Sequence, residues 1–176
     1  MPKILVNTEL VSAALKAVAT TLKAGVVVSA AAILSQAKGD LEANAAAAVT
    51  HLDEFSQKLH AVRNGMLQQN AVASAIISNA HTAEIDVDAL HEKIGTVDDQ
   101  IESTKEALFE IVGSAERDGL DVFAERVGAL GRALQDVMAL AAGDRLAAAP
   151  PFMFDQFFLE TMHDLSQRDW SAPDEA

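Results

Sequence analysis

Three stretches of this chain carry apolar residues in an alternating 3-4 spacing, and that pattern fixes most of what the chain can become. The first stretch holds Leu41, Ala45, Ala48, Leu52, Phe55, Leu59 and Val62, and the second Leu90, Ile94, Val97, Ile101, Leu108 and Ile111, with the polar Thr104 in register. The third runs Leu120, Phe123, Val127, Leu130, Leu134, Val137 and Ala141. Such spacing puts one narrow apolar stripe on each helix, the seam of coiled coils and long bundles. Gly and Pro are scarce and fall mostly between the stretches, and alternating β-type runs are absent, so a sheet is not expected. The fold class read from the sequence is all-α: an elongated up-and-down bundle or coiled-coil-like hairpin of four to five long helices, followed by a C-terminal amphipathic helix.

With 176 residues, half of them apolar, the chain suffices for one core. The spacing predicts a bundle over residues 1–149. Its helices span 8–38, 40–81, 86–113 and 118–142, with Thr8 and Asp40 as N-caps. His81 to Asp86 lacks periodicity and reads as a turn. Ala147-Ala-Ala-Pro-Pro151 is a stiff break that opens a separate segment, residues 150–176.

That last segment concentrates aromatic residues. Phe152, Phe154, Phe157, Phe158, Met162, Leu165 and Trp170 form its apolar set, and on a helix Phe154, Phe158, Met162 and Leu165 share one face. An amphipathic aromatic helix after a Pro break is the form taken by helix-in-groove ligands, in which a few anchors supply most of the affinity. The alternative is that it folds back onto its own bundle. The first predicted helix differs from the others in being apolar on every side through its middle, and Val26, Val27, Val28, Ile33 and Leu34 are the residues that could insert in a membrane. The run is shorter than the roughly 20 residues a bilayer span needs, so a buried bundle helix is the favoured reading.

Charge excludes one class of partner. The net charge is -13, and the acids lie almost entirely beyond Lys38, so nucleic acid is repelled. There is no cysteine, hence no disulfide framework and no thiolate metal site. No metal or cofactor is expected. His81, Glu84, Asp88 and His91 have helical spacing, but they straddle the expected turn.

Two short patterns bear on chemistry. Leu59-His60-Ala-Val-Arg-Asn64-Gly-Met-Leu67 resembles the phosphoacceptor box of HWE-type sensor histidine kinases. The resemblance implies His60 as the phosphorylated residue and Asn64, one turn on, as its helper. Asp53-Glu-Phe-Ser-Gln57 is similar to the carboxylate-amide pair of the CheZ family of response-regulator phosphatases, whose layout of helical hairpin, linker and terminal docking helix is also similar. The reading that leads is a non-enzymatic interaction and assembly protein with a protein partner, a homo-oligomer with a dimer favoured. The alternatives are a two-component phosphotransfer or phosphatase-like hairpin, and a secreted membrane-active helical protein. The compartment stays open, with the cytoplasm favoured over secretion.

Overall fold

The computed structural model describes residues 2–34, 41–72, 82–114 and 117–142. The chain is mostly helical: strand β1 (Lys3–Asn7) leads into helix α1 (Thr8–Leu34) and α2 (Leu41–Val72), and strand β2 (Thr82–Asp86) leads into α3 (Val87–Ser114) and α4 (Arg117–Ala142). The expected helical residues 35–38 and 73–81, the Asp40 cap and the whole of 150–176 lie outside the described residues.

All-α bundle packing is the dominant architecture, and α2 passes through Asn64-Gly65 without a break. Each half is a helical hairpin, α1 on α2 and α3 on α4, and the hairpins close through α2 on α3 and α1 on α4. The helices therefore run up, down, up, down. The starts of α1 and α3 and the ends of α2 and α4 share the end that bears the strands.

The stripes read from the sequence supply the core. Leu52, Phe55, Leu59, Leu90, Ile94, Val97, Ile101, Phe123, Val127, Leu130, Leu134 and Val137 are all buried within the chain itself. α1 adds its own stripe, Val11, Leu15, Val18, Leu22 and Val26. Thr104 is buried in register, and its hydroxyl donates to the Gln100 carbonyl at 2.6 Å, which satisfies the polar group inside its own helix.

Two sequence expectations need correction. The expected turn at His81 to Asp86 contains β2, which pairs antiparallel with β1. Ile4, Val6 and Ile85 point into the core from this ladder, and the Val87 amide extends it by donating to the Pro2 carbonyl at 3.0 Å. The cap of α1 is Asn7 rather than Thr8: its Oδ1 accepts from the amides of Glu9 and Leu10 at 3.1 and 3.2 Å. Asp86 does the same for α3, accepting from the amides of Asp88 and Ala89 at 2.9 and 3.2 Å. A residue at the strand-to-helix corner still has extended backbone, which frees its side chain to turn back on the first helical amides.

The two halves correspond to one another. The strands pair Lys3 with Asp86, Leu5 with Glu84 and Asn7 with Thr82, a register symmetric about the central Leu5–Glu84 pair. A shift of 79 positions, Lys3 to Thr82, carries β1–α1 onto β2–α3. It matches cap to cap and buried Val11, Leu15, Val18, Leu22 and Gly25 to buried Leu90, Ile94, Val97, Ile101 and Thr104. For α2 and α4 the shift becomes 75, which matches buried Ala48, Leu52, Phe55 and Leu59 to buried Phe123, Val127, Leu130 and Leu134. The difference of four is about one helical turn, so the stripe keeps its face.

Candidate functional site

The facing sides of α2 and α3 form a polar seam across the bundle. Near its middle, His60 Nε2 lies 2.9 Å from Asp98 Oδ2 and 3.1 Å from Oδ1. Ser56, one turn before His60 on α2, donates its hydroxyl to the same carboxylate at 3.3 Å. The serine bonds the aspartate and not the imidazole, so the three groups do not form a nucleophile-base relay. What they do form is a partly exposed His–Asp pair in which the carboxylate fixes the orientation of the ring.

Two turns back along α2, Lys105 of α3 bridges Asp53 of α2 and Glu102, the latter at 2.8 Å. Burial works to lower the Lys105 pKa, but the hydrogen bonds and charges of Asp53 and Glu102 outweigh it and hold the ammonium above its ordinary 10.5. Arg63 Nε on α2 and Gln100 Oε1 on α3 are buried without a hydrogen-bond partner among the described residues.

Of the residues singled out from sequence, His60 thus meets Asp98, whose carboxylate also accepts from Ser56. Asn64 accepts a 3.4 Å hydrogen bond from its neighbour Arg63, and its side chain is exposed. Asp53 is taken by Lys105, and Gln57 is exposed. No group of three or more metal-ligating side chains converges among the described residues. Glu84 sits on β2 while Asp88 and His91 sit on α3, so the helical spacing of that set has no common helix. Val26 is buried in the core, and among the described residues no helix is long and apolar enough to cross a membrane. The side chains of Val27, Val28, Ile33 and Leu34, and the aromatic set Phe152 to Trp170, lie outside the described residues.

A second feature was not singled out by sequence. Leu10, Val11 and Ala14 of α1 and Ala61, Val62, Gly65 and Met66 of α2 line an open apolar groove of about 380 Å³ at the strand end of the first hairpin. Leu10 at its rim is 61 % exposed. A side chain at Gly65 would meet nothing within 4 Å. The groove exists because three small residues face each other across the helix pair. The correspondence between halves shows what stands in its place in the second hairpin: Ala14 and Ala61 become Lys93 and Asp136, an ion pair at 3.8 Å, and Gly65 becomes Leu140.

No protein-family model matches the chain, and no curated protein or solved structure matches it either.

Proposed function

We propose that the chain is a non-enzymatic helical association protein that engages a protein partner through its aromatic C-terminal segment, residues 152–170. One observation supports the reading: the heptad stripes of the described helices are buried within the chain itself, and the sequence then continues into the Phe-rich residues 152–170. Apolar surface of that kind needs cover from a partner or from the bundle itself. Leu10 and Phe109, 61 % and 57 % exposed, offer further apolar contact on the bundle. Self-association into a dimer would use these outer positions, since pairing through the seams requires opening the hairpins.

The test compares the full-length chain with a chain ending at Ala149, by sedimentation and by affinity capture with purified candidate partners. The reading expects a partner held by the full-length chain alone. A monomer that binds the same proteins with and without residues 150–176 contradicts it.

The His60–Asp98 pair favours a second reading, a phosphotransfer hairpin, because a carboxylate against one imidazole nitrogen makes the other more nucleophilic. Incubation with a small acyl phosphate would then yield an acid-labile phosphorylated protein, and His60→Gln would abolish the label. A chain that takes up no phosphoryl group removes this reading.

A further inference from the structure

The second hairpin serves as an internal reference for the first. Along the bundle end that carries the strands, corresponding positions are filled in one hairpin by Lys93, Asp136 and Leu140, and left as Ala14, Ala61 and Gly65 in the other. Ala14 and Ala61 lie outside the buried stripes, while Gly65 is half-buried and its counterpart Leu140 packs against the core. The groove is one helical turn long on each wall, Leu10 to Ala14 and Ala61 to Gly65. Its volume of about 380 Å³ falls in the roughly 300–1,000 Å³ range of clefts that hold ligands.

We propose that this groove is the docking site for the chain's own C-terminal segment, with Phe154 and Phe158 as the anchors, so that the bundle carries its aromatic helix in cis as a displaceable latch. The inference rests on the reading of residues 152–170 as a docking segment and adds where it docks. Two observations select this occupant. The first is position: α4 ends at Ala142 at the same end of the bundle as the groove, and α1, which forms one wall, also packs on α4. The second is reach. Residues 143–151 extend up to about 30 Å, and the path from α4 across α1 to the groove is about two interhelical spacings of 8–10 Å.

Phe154 and Phe158 are one turn apart, as are the residues of each wall, so a single turn of the docked helix spans the groove. Tethering makes the encounter intramolecular, at an effective concentration in the millimolar range for a short linker. A free partner must then compete with the latch.

Hydrogen exchange of the full-length chain, read by mass spectrometry over residues 152–160, tests the proposal. The comparison is with Ala14→Lys/Ala61→Asp/Gly65→Leu, which copies the second hairpin into the first, and with Gly65→Leu alone should the triple variant fail to fold. The expected result is slowed exchange in the wild type that persists on dilution, and about tenfold faster exchange once the groove is filled. Equal exchange in wild type and filled variants overturns the proposal, as does an unprotected segment in the wild type. Protection that disappears on dilution overturns it in favour of a second copy as occupant. Where filling the groove changes nothing but partner capture still requires residues 150–176, the docking segment stands and only its cis site is lost.

Discussion

The two hairpins share a plan and differ on their surfaces. Both begin with a strand that ends in a capping Asn or Asp, and both bury the same succession of positions. They diverge where they face outward and where they face each other. Between α2 and α3 the interface holds Asp53–Lys105 and His60–Asp98, while the corresponding positions between α4 and α1 are Gly128, Val26, Gln135 and Ala19. At the strand end, the second hairpin carries the Lys93–Asp136 pair where the first has Ala14 and Ala61 lining a groove. The lesson is that burial constrains the shared frame and leaves the outer positions to change. A position that is small and apolar in one hairpin and charged in the other has been released from the frame.

The largest effects expected are in the frame, and they should be paired. Phe55→Ala should cost about 3–5 kcal/mol and Leu130→Ala about 2–5 kcal/mol in urea unfolding, since both are wholly buried and each leaves a cavity. A small effect at one of the two would break the correspondence. Next come the caps. Asn7→Ala and Asp86→Ala should each cost about 1 kcal/mol, because each orphans two helical amides.

Smaller still are the glycines, which sharpen the contrast. Gly65→Ala should stabilise by up to about 1 kcal/mol, as helix interiors disfavour glycine and the space there is open. Gly25→Ala should gain less or destabilise, because its new methyl would sit 3.1 Å from the His51 Cβ.

The smallest effect belongs to the polar seam. The folded-state pKa of Lys105 is raised, so the stability it contributes is fully present below the ordinary 10.5 and is lost as pH rises through the higher folded value. The difference in unfolding free energy between wild type and Lys105→Met should stay constant from neutral pH to about that ordinary value and shrink above it. A difference that shrinks at neutral pH contradicts the assignment.

Much of the frame was legible in the sequence because each stripe is a local pattern with a helical period, readable one helix at a time. The stripe of α1 was less visible, since alanines surround Val11, Leu15, Val18 and Leu22 on every side. β2 escaped because Thr-Ala-Glu-Ile-Asp has one core-facing large residue, Ile85, and becomes a strand only by pairing with β1. The cap moved by one residue for the same reason: the strand before it decides where the helix begins. His60 could be singled out from its neighbours, but Asp98 lies 38 positions away and only folding brings the two together. The groove depends on small residues on two helices meeting face to face, which no single stretch of sequence records.

The central claim is that the seams close within one chain, leaving the groove and the aromatic segment for association. The most direct test uses the strand pair at the centre of the symmetric register. The chain has no native cysteine, so Leu5→Cys/Glu84→Cys places two thiols directly opposite each other and nowhere else. Opposed residues of an antiparallel pair have Cα atoms about 4.5–5.5 Å apart, within disulfide range. Mild oxidation followed by non-reducing electrophoresis should give a fast-migrating monomer with the disulfide inside one chain. A covalent dimer as the main product, or free thiols in folded protein, would contradict the account.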